Sequence, residues 1–126
     1  MNKQHNPAGL PTPSFYSHAV EAAATTRVLY VSGQVPVGAD GAIPDSIAEQ
    51  TAMVFSKLKQ VLAAAGMTLN DVTRMTYYLT SRDDFTAFSE ERLKQLGDAK
   101  PGSTLVYVAG LVHPKYRIEI EAIAAA

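Results

Sequence analysis

The sequence predicts an α+β domain in the order β-β-α-β-α-β-β, with two helices packed on one face of a mixed sheet. Three observations carry that expectation. Residues 27–32 (RVLYVS) are rich in β-branched and aromatic side chains, and residues 117–124 (RIEIEAIA) alternate as a strand does. Residues 46–66 place Ala48, Thr51, Phe55, Leu58 and Leu62 at helical spacing between a capping signal and a glycine. A second amphipathic stretch follows residues 81–84, and two such helices suffice to cover one sheet face.

Taken in order, residues 1–14 are polar, hold three of the seven prolines, and read as an irregular arm. The remainder, 15–126, reads as a single domain. Residues 15–22 suit a strand, joined to 27–32 across Thr25-Thr26 as a hairpin. Residues 33–44 (GQVPVGADGAIP) form a turn-rich loop. Ser46 and Glu49 make a capping box, the hydroxyl accepting from the third helical N–H while the carboxylate reaches back. The helix so begun runs about five turns to Gly66. Residues 71–80 (DVTRMTYYLT) alternate as a strand with Met75, Tyr77 and Leu79 on one side. The second helix carries Phe85, Phe88 and Leu93 and ends near Gly97. Pro101-Gly102 launches a strand over 103–109, and a loop at 111–115 leads to the last strand.

Composition excludes several function classes. At 126 residues, 47% hydrophobic and 18% charged, the chain fits one globular domain. A formal charge of −1 and no basic stretch interleaved with aromatics leave no nucleic-acid footprint. Without cysteine there are no disulfides, thiolate nucleophiles or zinc–sulfur sites. Three scattered histidines have no metal-ligand spacing: His5 in the arm, His18, and His113 in a solvated turn. No apolar run approaches the roughly 18 residues needed to span a membrane, and no signal peptide opens the chain. A cytoplasmic location is expected.

The last strand is the informative one. Ile118, Ile120 and Ala122 point one way, Glu119 and Glu121 the other, in a segment whose flanks read as interior. Burying an ionised carboxylate without a partner is costly or raises its pKa. The face opposite the helices is expected to hold Leu105, Tyr107, Glu119 and Glu121, a mixture suited to an oligomer interface with a ligand cleft in it. Glu119 admits two readings, a group in a site or a paired interface carboxylate; Glu121 reads as an interface ion-pair partner.

YSHAV (16–20), YVSGQVPV (30–37) and RIEIEAIA (117–124) in this order and spacing resemble the RidA/YjgF/UK114 family. So do the AAAG helix end and the DDF that opens the second helix. The resemblance covers nearly all the chain from residue 15. It implies a chorismate-mutase-like homotrimer with clefts between subunits. It also implies hydrolysis of reactive enamines and imines, such as 2-aminoacrylate, to a keto acid and ammonia without metal or cofactor. In such proteins a last-strand Glu positions water, a strand Arg binds the substrate carboxylate, and a Tyr and the SGQ serine line the cleft.

Carried onto this chain, the resemblance assigns the water-positioning role to Glu119 and cleft positions to Tyr16, Ser32 and Gly33. Ser89 stands where the family has a ligand-fixing Asn. Where active deaminases read P-x-R, this chain reads Pro101-Gly102-Ser103, with Leu105 two residues on. It therefore resembles divergent members that lack the Arg. A bidentate guanidinium–carboxylate bond contributes roughly 1.5–3 kcal/mol, so its loss weakens and misorients a 2-imino acid. Lys115 and Arg117 are the candidate substitute cations. His18, two residues after Tyr16, sits where the family often has Gln, as an imidazole suited to proton transfer or with a structural role. Ser103 reads as a cleft hydrogen-bonder or a plain strand residue, Tyr107 as packing, and Gly33 as a turn residue allowing φ > 0.

Two functions follow. One is a cofactor-free imine or enamine deaminase acting on something other than a simple 2-imino acid. The other is a non-catalytic trimer that binds a small molecule in the same cleft. Ribonuclease activity, ascribed to some relatives, is disfavoured by the slight negative charge and the missing basic groove.

Overall fold

A computed structural model describes residues 2–24 and 27–126. Eight elements run β1 (Lys3–His5), β2 (Ala19–Glu21), β3 (Val28–Gln34), α1 (Ile47–Ala64), β4 (Val72–Leu79), α2 (Phe85–Leu96), β5 (Gly102–Tyr107) and β6 (Ile118–Ala125). The main sheet has the order β3-β6-β4-β5. Its β3–β6 and β4–β6 pairs are antiparallel and its β4–β5 pair parallel, so it is mixed as expected. Both helices pack on one face. Burying that face is what folds the chain: Val54, Phe55, Leu58 and Leu62 of α1 and Phe88 of α2 meet Met75, Tyr77, Leu79, Ile118 and Ile120 in one apolar cluster.

The amino-terminal expectation needs correcting. Lys3–His5 is not irregular arm but a strand, paired antiparallel with β2 in a separate ribbon. The expected strand over 15–22 shrinks to Ala19–Glu21, and its partner is β1 rather than β3. The Thr25-Thr26 turn lies outside the described residues. His5 is ordered in β1, its Nε2 lying 2.7 Å from Glu21 Oε2. Asn2 pins this ribbon to the sheet, its amide nitrogen donating to the carbonyls of Asp71 and Ala125 while its oxygen accepts from the Ala23 N–H.

Helix α1 starts as its sequence requires, Ser46 Oγ accepting from the Glu49 N–H at 3.1 Å. The return bond from the Glu49 side chain is not formed, so only half of the capping box is present. Gly66, at φ +71°, provides the left-handed stop. A complete box occurs instead at Thr68 and Asp71, before β4. In α2 the buried stripe is Phe88, Arg92 and Leu96, whereas Phe85 and Leu93 are exposed. An arginine holds the position that apolar spacing assigned to Leu93.

Candidate functional site

The strand registers decide which candidate residues share a face. Tyr78 lies opposite Glu119 and Thr76 opposite Glu121, so both carboxylates project from the face the helices leave open. Met75 and Tyr77 point into the core and pair with Ser103 and Leu105. Ser103, Leu105 and Tyr107 therefore point to the helix side. This corrects the expectation that Leu105 and Tyr107 share a face with Glu119 and Glu121. The slip arose because β5 runs parallel to β4, and a parallel edge strand gives no sequence clue to its register.

The open face is half apolar. Tyr30 is 77% exposed and Val28 50% at the β3 edge, and Val106 is exposed at the opposite, β5 edge. A shallow depression of about 220 Å³ is lined there by Tyr30, Arg74, Thr76, Glu121 and Ile123. Glu121 is held by the Tyr78 hydroxyl, which donates to Oε1 at 2.7 Å. That bond, with smaller contributions from desolvation and the charges of Glu121 and Glu119, raises the Tyr78 pKa above its ordinary value. Glu121 thus has a phenol partner within the protomer.

Glu119 is half-buried and makes no hydrogen bond or ion pair among the described residues. Its carboxylate rests on Gly33. A Cβ at residue 33 would stand 1.8 Å from Oε2 and 2.8 Å from Cδ. Gly33 belongs to β3, and the left-handed glycines are 41, 66 and 97 among the described residues. The glycine is needed for a close approach rather than for the positive φ expected of it. It lies where the β3–β6 register shifts, between Val31 and Gln34. Ser32 is exposed beside it, its carbonyl accepting from Gln34 Nε2 at 3.0 Å.

The other candidates gather elsewhere. A pocket of about 200 Å³ at the β5 edge is lined by Phe15, Tyr16, Phe85, Arg92, Ser103 and Leu105. Ser89 reaches it indirectly, its Oγ accepting from Arg92 Nη2 at 3.2 Å. His18 stands next to Tyr16, ring centroids 5.5 Å apart, but its Nε2 bonds the Pro11 carbonyl at 2.9 Å and its N–H bonds Asn6. It holds the arm in place. Tyr107 packs against the core within the protomer, under the Arg82 guanidinium.

The two named substitute cations are not in this pocket. Arg117 pairs with buried Asp84 through Nε and Nη2 and donates Nη1 to the Asp45 carbonyl. Buried Gln50 ties the same corner, bonding the carbonyls of Pro44 and Lys115 and accepting from the Arg117 N–H. Lys115 contributes only backbone there. The cation in the pocket is Arg92, which was not anticipated. It is 2% exposed, and burial lowers its pKa against the opposing effect of the Tyr77 hydroxyl beside it. Rings of Phe15, Phe88 and Tyr77 surround its guanidinium at 3.9, 4.7 and 5.1 Å. Among the described residues, no cluster of three or more His, Asp or Glu side chains could hold a metal ion.

Glu119 and the pocket thus occupy opposite faces of one sheet, with β4 between their strands. One protomer does not bring them together. Matched against protein-family models, residues 9–126 fit the family described as endoribonuclease L-PSP. The chain belongs to the RidA/YjgF/UK114 family. It is 38% identical over 112 residues to a RutC family protein of Pyrococcus horikoshii, covering 86% of this chain and 85% of that one. It is 35% identical over 103 residues to TdcF of Escherichia coli, described as a putative reactive intermediate deaminase, covering 77% and 78%. The crystal structure of the Rid protein YyfB from Yersinia pestis superposes with a TM-score of 0.87 at 32% identity, over 99% and 98% of the two chains. TdcF with bound serine gives 0.73 at 28% identity, over 91% of each. Family membership accounts for the SGQ and IEIEA segments, and the RidA/YjgF fold is the one described above. No helix among the described residues is long and apolar enough to cross a membrane.

Proposed function

We propose that this Rid family chain hydrolyses imines or enamines, with Glu119 of one protomer directing water into the β5-edge pocket of another. One observation carries the reading: Glu119, without a hydrogen-bond or ion-pair partner among the described residues, is held against Gly33 on an open face that exposes Tyr30 and Val28 at one edge and Val106 at the other. Exposed apolar side chains of that size favour cover by another protein surface. A homotrimer would cover them and bring the two half-sites together. The kinship with TdcF, described as a reactive intermediate deaminase, supports the same chemistry.

The reaction needs little from the protein. An enamine first takes a proton on carbon and gives one up from nitrogen to become the imine. Water then adds to the C=N carbon while Glu119 accepts its proton, a step in which a placed base contributes about 10²–10⁴ in rate. That proton passes to nitrogen to complete the carbinolamine, whose hydroxyl proton then moves to nitrogen as the C–N bond breaks, leaving carbonyl and ammonia. Tyr16 and Ser103 would wall the pocket, with Ser32 beside the water. The chemistry calls for no metal or cofactor. The formal charge of −1 favours this reading over RNA cleavage.

The test is ammonia release from imines made in situ by an amino-acid oxidase, measured for the parent and Glu119→Gln. Loss of the accelerated release in the variant is expected; equal rates reject the reading. A second reading, a ligand-binding trimer without turnover, is favoured by the serine found in TdcF. It predicts that small molecules stabilise the protein in thermal unfolding and are recovered unchanged.

A further inference from the structure

Gln50 is a long polar side chain kept almost wholly from water, at 1% exposure on the buried face of α1. Glutamine is seldom so buried, and when it is its hydrogen bonds are made. Here they all go to backbone. Nε2 donates to the carbonyls of Pro44 and Lys115, each at 2.9 Å, and Oε1 accepts from the Arg117 N–H at 2.8 Å.

Those three groups belong to the two chain segments that carry Gly33 and Glu119. Pro44 closes the loop that follows β3, and Lys115 and Arg117 lead into β6. Lys57, seven residues along and so on the same side of the helix, holds the start of that loop. Its Nζ donates to the Val35 and Val37 carbonyls at 2.7 and 3.1 Å. Helix α1 is itself fixed in the core through Val54, Phe55, Leu58 and Leu62. Both segments are thus referenced to one rigid element.

Glu119 needs such a reference. Tyr78 of β4 pairs with it, but the β3–β6 register ends at Gln34 opposite Ile120, so no residue of β3 is in register with Glu119. Two residues before it, the Arg117 N–H is taken by Gln50. An apolar residue of equal length would fill the same space yet leave two carbonyls and one N–H without partners, and the segments bearing them would shift.

We propose that Gln50 is a positioning residue for the base: by joining the exit of the 35–44 loop to the entry of β6, it holds the Glu119 carboxylate in its place against Gly33. The catalytic consequence rests on the imine-hydrolase reading; the placement does not.

Gln50→Met keeps the length of the side chain and removes all three bonds. Asn2→Ala, which loses a bond at the far end of β6, is the control for lost stability. Two quantities are read on the full chain: ammonia release from imines made in situ, and the carboxyl carbon resonance of Glu119, assigned by its absence in Glu119→Gln. Gln50→Met should release ammonia about tenfold or more slowly and shift the resonance, whereas Asn2→Ala should match the parent in both. Gln50→Met combined with Gly33→Ala should lose less than the product of the two single losses, because both act through one carboxylate. Gln50→Glu keeps the acceptor for Arg117, and burial between carbonyls favours its protonated form, which retains one donor. It should fall between Gln50→Met and the parent, and it replaces Gln50→Met if that variant does not fold. An unmoved Glu119 resonance, parent-like release, or losses that multiply in the double variant overturns the proposal. So does an equal shift of the resonance in Asn2→Ala, which would mark general loosening. A parent with no release above the uncatalysed rate rejects the hydrolase reading instead, and the resonance then decides the placement alone.

Discussion

The carboxylate of Glu119 lies against the α-carbon of Gly33, so close that a single methyl group at residue 33 would stand 1.8 Å from its Oε2. The two residues sit on adjacent strands, β3 and β6, where the register between them slips. The glycine of SGQ and the first glutamate of IEIEA are therefore one spatial unit.

Gly33→Ala should move Glu119 without unfolding the protein. The clash is with the end of a flexible side chain, which can rotate into the open face. Ammonia release is expected to fall about tenfold or more, since a misplaced base loses much of its contribution. Urea unfolding should shift by no more than about 1 kcal/mol. Full activity in Gly33→Ala would separate the glycine from catalysis.

Asp84 is 3% exposed and meets the Arg117 guanidinium from the start of α2. Removing it leaves Arg117 with only the Asp45 carbonyl. Asp84→Ala is expected to destabilise the fold by about 1–2 kcal/mol, since the buried carboxylate is lost but the Arg117 guanidinium is more than a third exposed and solvent reaches it. Chemical denaturation measures this, and a loss below about 1 kcal/mol would show that water replaces the carboxylate.

Tyr78 should titrate above the ordinary tyrosine pKa of about 10, chiefly because its hydroxyl donates to Glu121. A raised folded pKa means the interaction stabilises fully below the ordinary value and fades as pH climbs through the raised one. Phenolate absorbance, with Tyr78→Phe subtracted, should show this titration moving down in Glu121→Gln. An unmoved curve would mean that another group sets it.

Asn2 bonds three backbone groups, joining the β1–β2 ribbon to the ends of β4 and β6. Asn2→Ala should cost on the order of 1–2 kcal/mol. Hydrogen exchange should rise first at Ala19–Glu21, leaving β4 and β6 protected; uniform loss of protection would contradict a local role.

Much of the domain could be read from residue order. The alternation of Ile118, Glu119, Ile120 and Glu121 assigned faces correctly, and Ser46 with Gly66 bracketed α1. What escaped depended on contacts distant in sequence. The pairing of Lys3–His5 with Ala19–Glu21 involves short polar segments without a strand signature. The orientation of Leu105 and Tyr107 depends on the parallel register to β4. Gly33 looked like a turn glycine because nothing local shows that a carboxylate 86 positions later leans on it. Arg92 was legible in principle, since 88, 92 and 96 form one helical stripe. Apolar spacing favoured Leu93, and a charged residue was passed over because burial of a lone cation is rare.

The separation of Glu119 from Arg92 across the thickness of a single sheet also shapes inheritance. On the proposed assembly each cleft draws its base from one chain and its β5-edge pocket, walled by Arg92, from the next. Two inactive alleles, one altered at each residue, should then rescue each other when co-expressed. Chains carrying both lesions should instead act as dominant poisons, spoiling each cleft they enter in the company of normal protomers.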